Sequence, residues 1–360
     1  MNAWEKNIRR VVPYTPGEQP KETGIIKLNT NENPYPPAPG VEEAMKTMDA
    51  DGLRLYPDPK ASALVRAIAQ EQGIKEEQVF VGVGSDDVIA MAFLTFFNSG
   101  KPILFPDITY SFYDVWADLF RIPYERPALD ESFRIRVRDY DRENGGVVIA
   151  NPNAPTGEAV SLSFIEDLLQ HNQDVVVIVD EAYVDFGAES AVSLIDRYEN
   201  LLVIQTFSKS RSLAGIRIGY AMGHRDLIKA INDVKYSYNS YTMNIPAIEL
   251  GVKALEDREY FERTRAKIIE TREHAKEEFR KLGFVFGDSK TNFIFVSHPD
   301  YPAKDILEYL KTKKIYVRYF SAERTSNYLR VTIGTDEQME AVFRALREYM
   351  APACGAQGKL

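Results

Sequence analysis

The strongest constraint on the fold is the alternation of short apolar segments with longer amphipathic ones. Val147–Ala150, Val175–Val179 and Leu201–Thr206 are rich in β-branched residues and contain no charged residue, which is typical of strands buried on both faces. Segments with helical spacing, such as Ser163–His171, separate several of them. This alternation predicts an α/β fold with a mostly parallel central sheet covered by helices.

The two ends of the chain have a different character. The first forty residues are rich in proline and asparagine and predict an irregular arm. The residues after Asn244 begin with a long charged segment, which predicts a helix over roughly Ile245–Leu282, and continue as short strands and helices. We therefore predict a large domain over residues 42–244. The arm, residues 1–41, is predicted to join residues 245–360 in a smaller α+β domain.

Charge and hydropathy exclude several classes of partner. The net charge of −9 argues against nonspecific binding to nucleic acid, because phosphates favour basic surfaces. The longest apolar runs, such as Ile89–Phe97, are too short to cross a bilayer, and the polar start Met1–Arg10 is unlike a signal peptide, so we expect a cytoplasmic protein. The single cysteine, Cys354, is expected to be an exposed thiol in a Gly- and Ala-containing tail. No metal is expected, because no metal-ligand spacing links His171, His224, His274 and His298.

Two of the predicted strands are followed by an ionisable residue suited to chemistry. Asp180 follows Val175–Val179, and Lys209 comes shortly after Leu201–Thr206. Because the carboxyl ends of parallel strands meet at one edge of a sheet, both side chains could face one pocket. A lysine there could form an imine with a cofactor, provided that desolvation and nearby cations favour its neutral amine. An aspartate could keep the pyridine nitrogen of such a cofactor protonated.

The segment Gly82–Val88 lies between a predicted strand and a predicted helix. Free N–H groups at a helix start attract phosphate, whereas Ser85 or Asp86 could instead cap the helix, and the sequence alone favours neither interpretation. The dinucleotide fingerprint is not met, because Asp87 stands where its third glycine would be. Phosphate could also be held by polar side chains near the lysine, namely Thr206, Ser208 and Arg217.

These segments resemble the signature motifs of the fold-type I pyridoxal-phosphate aminotransferases. The matching motifs are N-P-N-A-P-T-G at Asn151–Gly157, V-D-E-A-Y at Val179–Tyr183 and T-F-S-K-S-R-S-L-A-G-I-R-I-G-Y at Thr206–Tyr220. Within that superfamily the chain is most similar to the histidinol-phosphate aminotransferase family, over nearly its whole length. That likeness rests on L-N-T-N-E-N-P-Y at Leu28–Tyr35, Y-P-D-P at Tyr56–Pro59, V-D-E-A-Y-V-D-F at Val179–Phe186 and Y-L-R-V-T-I-G-T at Tyr328–Thr335.

The resemblance implies a function and an assembly. It implies a homodimer that binds pyridoxal 5'-phosphate and has its active site at the subunit boundary. It also implies amino transfer between a small-molecule amino donor, histidinol phosphate, and a 2-oxo acid acceptor, 2-oxoglutarate, which is a step of histidine biosynthesis. By the same resemblance, Tyr56 would reach across the dimer to the cofactor phosphate of the neighbouring subunit.

The resemblance also implies roles for individual residues. Lys209 would bind the cofactor as an imine and act as the general base, Asp180 would pair with the ring nitrogen, and Tyr183 would hydrogen-bond the ring hydroxyl. Tyr110 would stack on the ring, although a structural tyrosine in the core is an alternative. The cofactor phosphate would be surrounded by Ser85, Asp86, Thr206, Ser208 and Arg217.

Substrate contacts are implied for two arginines and two residues of the arm. Arg330 matches the arginine that holds the anionic group of the substrate, and its forked guanidinium suits both a carboxylate and a phosphate. Arg318 is a candidate second cation, with a solvent-facing strand residue as the alternative. Tyr14 and Asn33 are candidate helpers from the arm.

The chain departs from the common family pattern at two places. Ala154 stands where many relatives have asparagine, so the contact to the ring hydroxyl falls either to Asn153 or to Tyr183 alone. Ser210 and Arg211 follow the lysine where apolar residues are frequent, and Arg211 either favours the neutral amine or points to solvent. Neither departure changes the expected cofactor.

Other functions are alternatives to amino transfer from histidinol phosphate. An aromatic-amino-acid aminotransferase would keep the fold and change the substrate, and a threonine-phosphate decarboxylase-like lyase would change the bond that is broken. A regulatory or binding domain without activity is disfavoured because Lys209, Asp180 and Arg217 are all present. A dehydrogenase is disfavoured by the unmatched dinucleotide fingerprint.

Overall fold

The structure is a computed structural model that describes residues 2–351, so Cys354 lies outside the described residues. The described helices are α1 Pro39–Thr47, α2 Ser62–Gln72, α3 Ser85–Phe96, α4 Tyr113–Phe120, α5 Leu162–His171, α6 Arg225–Tyr238, α7 Ile245–Glu256, α8 Arg258–Lys281, α9 Ala303–Thr312 and α10 Asp336–Met350. The described strands are β1 Ile26–Leu28, β2 Val79–Gly82, β3 Ile103–Leu104, β4 Tyr124–Glu125, β5 Val147–Ala150, β6 Val177–Asp180, β7 Leu201–Thr206, β8 Gly219–Gly223, β9 Val285–Phe286, β10 Phe293–Ser297, β11 Ile315–Tyr319 and β12 Leu329–Thr332.

A large sheet forms the centre of the molecule, with the strand order β2-β8-β7-β6-β5-β3-β4. β8 runs antiparallel to both of its neighbours, and the pairs from β7 to β4 are parallel. Every residue of β6 and β7 is buried, because apolar clusters pack on both faces of the sheet. The predicted α/β fold with a mostly parallel, helix-covered sheet is therefore confirmed.

A second sheet has the order β1-β11-β12-β10-β9. Its strands are antiparallel except for β1, which pairs in parallel with β11 and places Leu28 opposite Val317. The expectation of a wholly irregular arm is therefore wrong for Ile26–Leu28, because these residues form an edge strand. The apolar faces of α8, α9 and α10 contribute to the core beside this sheet.

The predicted helix over Ile245–Leu282 is two helices rather than one. The break is at Asp257, whose side chain accepts a hydrogen bond from the backbone N–H of Tyr260 and so caps α8. Buried residues of α7 belong to the core of the large sheet, together with α1 and α2. The domain boundary at residue 244 stays a prediction, and α7, which follows it, packs in the core of the large sheet.

The carboxyl ends of β5, β6 and β7 lie at one edge of the large sheet, because these strands are parallel and adjacent. Ala150, Asp180 and Thr206 are the last residues of the three strands. None of the described helices is long and apolar enough to cross a membrane.

Candidate active site

A cavity of about 210 Å³ lies at this sheet edge, between the large sheet and β11 and β12 of the small one. All but three of the predicted site residues line it, and the exceptions are Asn33, Tyr56 and Asn153. The predicted residues on its wall are Tyr14, Ser85, Asp86, Tyr110, Asp180, Tyr183, Thr206, Ser208, Lys209, Arg217, Arg318 and Arg330. Residues from four separate sequence motifs therefore meet in one cavity.

Lys209 lies in the turn that follows β7. Its Nζ donates a hydrogen bond to the backbone oxygen of Thr30 at 3.3 Å and lies 5.7 Å from the centre of the Tyr183 ring. The amine thus lies on the cavity wall, and its hydrogen-bond partner in the described residues is a neutral carbonyl. Tyr183 accepts a hydrogen bond at its hydroxyl from Nδ2 of Asn31 at 2.8 Å, so the arm holds both groups.

Asp180, at the end of β6, is a buried carboxylate at the base of the cavity. It accepts hydrogen bonds from the Tyr113 hydroxyl at 2.7 Å and from the backbone N–H of Ala182 at 3.1 Å. Burial raises the pKa of Asp180 to about 6, although both hydrogen bonds act in the opposite direction. Within the described residues no cation forms an ion pair with it. A carboxylate in this situation favours a ligand that presents an N–H⁺ group.

The start of α3 forms one end of the cavity. No side chain caps this helix, and Asp87 instead accepts a hydrogen bond from the N–H of Val83. The alternative in which Ser85 or Asp86 caps the helix is therefore wrong. The first N–H groups of a helix lack intrahelical partners and favour an anion.

Glycines allow the backbone to approach closely at this helix start. A Cβ on Gly219 would lie 2.2 Å from the backbone nitrogen of Ser85, and one on Gly84 would lie 2.4 Å from Nη2 of Arg217. That nitrogen is 3.4 Å from Asp86, and the guanidinium also donates to the oxygen of Ala214. Hydroxyls of Thr206 and Ser208, 3.0 Å apart, complete a corner whose N–H and O–H donors could hold an anion.

Tyr110 lies on the cavity wall and contacts both Asp86 and Tyr113. Its hydroxyl donates to Asp86 at 2.9 Å, and its ring meets the ring of Tyr113 edge-on at 5.7 Å. Burial and the charge of Asp86 raise the pKa of Tyr110 above its usual range, so the phenol stays neutral. Tyr14, from the arm, stacks on Phe112 and also reaches this wall.

Two arginines from the small sheet form the opposite wall. Arg318 of β11 and Arg330 of β12 are paired across the strands, and Phe320 lies within 6 Å of both guanidinium groups. Arg330 donates to the oxygen of Asn29 at 3.2 Å, while its buried Nε has no hydrogen-bond partner. Burial lowers the pKa of Arg330. Within residues 2–351 neither guanidinium forms an ion pair, so both can bind an anion.

Three predicted site residues do not line the cavity. The side chain of Asn153 accepts a hydrogen bond from Thr109 and donates to Thr156 and to the backbone oxygen of Ile108. Ala154 rather than Asn153 therefore faces the cavity. The proposed replacement of the family asparagine by Asn153 therefore has no support in these contacts.

Asn33 and Tyr56 are placed differently again. Asn33 donates to the backbone oxygens of Lys209 and Ser210 rather than facing the cavity. Tyr56 is 81% exposed and packs against Tyr241 at 4.7 Å, so it does not reach the cavity of its own chain.

The two residues after Lys209 act on the turn itself. Ser210 donates a hydrogen bond to Asp185. Arg211 pairs with Glu71 at 2.6 Å and lies 3.7 Å from the centre of the Phe261 ring, with its side chain mostly buried. Neither expectation for Arg211 holds, because it faces neither the lysine amine nor solvent.

Sequence reasoning missed three further residues around the cavity. Thr30 and Asn31 belong to the motif Leu28–Tyr35, but no local pattern shows that they contact Lys209 and Tyr183. Tyr113 is the first residue of α4, three positions after Tyr110, and no local pattern shows that its hydroxyl contacts Asp180. Among the described residues no cluster of side chains could hold a metal ion.

Comparison with known proteins gives consistent matches. The family model "Aminotransferase class I and II" matches residues 23–346. A histidinol-phosphate aminotransferase of Lactococcus lactis subsp. cremoris is 50% identical over 97% of this chain and 98% of its own length. Another from Acinetobacter baumannii is 52% identical over 97% of each chain.

Solved structures with the same fold include enzymes of two kinds. Histidinol-phosphate aminotransferase from Sinorhizobium meliloti, in complex with pyridoxal-5'-phosphate, has a TM-score of 0.81 at 23% identity and covers 90% of each chain. L-threonine-O-3-phosphate decarboxylase from Porphyromonas gingivalis has a TM-score of 0.78 at 20% identity, covering 91% of this chain and all of its own. At these identities the structures show the fold and do not separate the two reactions.

Proposed function

The chain belongs to the class I and II aminotransferases and, among them, to the histidinol-phosphate aminotransferase family, and we propose that it exchanges the amino group of histidinol phosphate with 2-oxoglutarate in histidine biosynthesis. The observation that carries this proposal is the order of groups along one cavity. An amine, a buried carboxylate and an anion-binding corner lie on one side, and an arginine pair lies on the other. The first three suit a cofactor, and the pair suits an anionic substrate.

Pyridoxal 5'-phosphate fits the first three groups. Its phosphate would be held by the start of α3, by Arg217 and by the hydroxyls of Thr206 and Ser208. Asp180 would pair with the ring nitrogen, which would supply the cationic partner that this buried carboxylate lacks among the described residues. Lys209 would hold the cofactor covalently, with Tyr110 and Tyr183 beside the ring.

The bound cofactor would supply an electron-withdrawing ring that makes the hydrogen on the amino-bearing carbon of the substrate acidic. Asp180, as an anion, keeps the ring nitrogen protonated and so maintains that effect. Lys209, once its amine is free, would take the proton from that carbon onto Nζ and return it to the bound cofactor. Tyr183, held by Asn31, would hydrogen-bond the ring hydroxyl.

Arg330 and Arg318 would orient the substrate. A phosphate and a carboxylate both accept paired hydrogen bonds from a guanidinium, so one pair of arginines serves both half-reactions. Because the pair lies across the cavity from Lys209, an anion bound there directs the remainder of the substrate toward the amine. The neutral Tyr110 of the wall suits an aromatic or imidazole ring between these points.

We further propose a cytoplasmic homodimer with a shared active site. Tyr56 is exposed together with Leu53 and Leu55 on the same segment, and its ring packs against that of the exposed Tyr241. A contiguous set of exposed aromatic and aliphatic side chains is typical of an interface between subunits. In such a dimer Tyr56 would serve the cofactor phosphate of the neighbouring subunit.

The proposed substrate is tested in single half-reactions on cofactor-loaded protein. The visible absorption of the bound cofactor is followed after histidinol phosphate, phenylalanine or threonine phosphate is added, and we expect rapid loss with histidinol phosphate. Histidinol is the matched control, because it lacks the phosphate that the arginine pair would bind, and it should react much more slowly. Faster reaction with phenylalanine would indicate an aromatic aminotransferase, and release of carbon dioxide from threonine phosphate would indicate a lyase.

A further inference from the structure

The turn that carries Lys209 is held from outside by one side chain of the N-terminal arm. Nδ2 of Asn33 donates hydrogen bonds to the backbone oxygens of Lys209 at 3.0 Å and of Ser210 at 3.1 Å. Its Oδ1 accepts the N–H of Tyr35 at 3.0 Å. Both donors of the amide and one acceptor are therefore in use, and the side chain does not line the cavity.

The same short stretch of the arm contacts three side chains of the cavity wall. The backbone oxygen of Thr30 accepts a hydrogen bond from the Lys209 amine, and that of Asn29 accepts one from Arg330. The side chain of Asn31 donates a hydrogen bond to the Tyr183 hydroxyl. We call residues 29–33 the arm strip. Lys209, Tyr183, Arg330 and the backbone of the lysine turn thus all contact one segment of the arm.

The arm strip is itself fixed to the small domain. Asn31 exchanges hydrogen bonds with the hydroxyl of Thr332 on β12, at 3.1 Å from its backbone N–H and 3.0 Å to its Oδ1. Nδ2 of Asn292 donates to the oxygen of Asn31 at 3.0 Å. Arg330 lies on the same strand as Thr332. The arm strip therefore connects the lysine turn to the strand that carries Arg330.

We propose that Asn33 is a positioning residue that sets where the Lys209 amine lies, by tying the lysine turn to the arm strip. This inference rests on the proposed function and replaces the expectation that Asn33 contacts the substrate. Loss of its two hydrogen bonds would leave the turn attached through Ser210 and Arg211, which are fixed to the large domain. The amine would then be displaced relative to Arg330, and small displacements of a reacting group slow proton transfer strongly.

Asn33→Asp and Asn33→Ala test this role, the first by placing a carboxylate against two carbonyls and the second by removing the donors without adding charge. Asn200→Asp is the matched control, because Nδ2 of Asn200 also donates to two backbone oxygens, those of Asn172 and Val175, away from the cavity. Each variant is prepared with bound cofactor. We measure kcat and KM for the amino donor, the deuterium isotope effect on kcat, and the pH midpoint of the cofactor absorption band.

Both Asn33 variants should lower kcat about ten- to a hundredfold, with KM changed less than about threefold and a larger isotope effect. The pH midpoint of the absorption band should shift in both, because it reports the surroundings of the lysine without any substrate. Asn200→Asp should leave kcat, the isotope effect and the midpoint as in the wild type, even if it lowers the melting temperature.

Two results would overturn the proposal. A rise in KM at unchanged kcat would return Asn33 to a substrate contact, and a lowered melting temperature with unchanged kcat and midpoint would make its role purely structural. Failure of the proposed function appears elsewhere, in wild-type protein that does not react with histidinol phosphate, and it leaves the pH midpoint as an independent readout of Asn33.

Discussion

Tyr113 and Asp180 form a buried pair whose hydrogen bond decides how easily the carboxylate ionises. Burial alone disfavours the charged form, and the phenol hydroxyl at 2.7 Å favours it. The balance leaves the pKa of Asp180 at about 6, above its ordinary value of 3.8. A carboxyl with a raised pKa binds protons more tightly when folded, so its stabilising contribution is present below pH about 4 and is lost as the pH rises to about 6.

Tyr113→Phe should extend this loss of stability to higher pH. Without the hydroxyl, the pKa of Asp180 rises further, so the pH range over which cofactor-free protein loses stability extends above about 6. The melting temperature is measured against pH for both proteins. Asp180→Asn is the control background, in which Tyr113→Phe should change the melting temperature equally at every pH. The same pH dependence in wild type and Tyr113→Phe would contradict the assigned pair.

Arg330→Ala should impair both half-reactions, because one guanidinium serves both anions in the proposed function. The loss of charge-assisted hydrogen bonds predicts a fall of about ten- to a hundredfold in kcat/KM for histidinol phosphate and for glutamate. Arg138→Ala, which removes an arginine with a largely exposed side chain, is the control and should leave both values unchanged. An effect confined to one substrate would show that the two anions bind at different places.

Sequence patterns located the strands of the site well and some other elements poorly. β5 and β7 match their predicted bounds, because runs of β-branched residues between polar ends leave little choice. β8 was not predicted, since its sequence G-Y-A-M-G contains two glycines and no β-branched residue. Its strand conformation depends on pairing with β2 and β7, which no local pattern shows.

The break between α7 and α8 was missed because neither glycine nor proline marks it. Asp257 separates the two helices and caps α8. The apolar face of α7 can therefore pack in the core of the large sheet, while α8 packs in the core beside the small sheet. A capping residue is visible in a sequence only when the helix start is already suspected.

Asp257→Ala should therefore lower the free energy of unfolding by roughly 1 kcal/mol, through loss of the cap at the start of α8. Asp257→Asn is the matched variant, because asparagine caps a helix about as well as aspartate, and it should stay close to the wild type. Unfolding by urea or heat gives the comparison. Equal destabilisation by both substitutions would assign the effect to the charge of Asp257 rather than to its hydrogen bond.

In the complete molecule, the motifs predicted which residues meet in the cavity but not what joins them. Asp180 belongs to one motif and Lys209 and Arg217 to another, and the parallel pairing of β6 with β7 is enough to bring the two motifs together at one sheet edge. The contacts of the arm strip depend on the pairing of β1 with β11, between residues nearly three hundred positions apart. Neither composition nor periodicity contains that pairing, so Asn33 was expected at the substrate rather than at the lysine turn.

Intersubunit complementation tests the proposed shared active site, because Tyr56 cannot reach the cavity of its own chain in the described structure. Lys209→Ala removes the reactive amine, and Tyr56→Ala removes the contact offered to the neighbour. In a mixed dimer, one cavity then carries both changes, and the other has its own Lys209 and an intact Tyr56 from the second chain.

Mixing the two inactive proteins in equal amounts, under conditions that exchange subunits, should restore about a quarter of wild-type activity. Random exchange makes half of the dimers mixed, and each mixed dimer has one intact site. Either variant alone, taken through the same exchange, is the control and should stay inactive. If the mixture also stays inactive although mass measurement shows mixed dimers, Tyr56 acts within its own chain or has no role at the cofactor phosphate, and the active site is not shared through this residue.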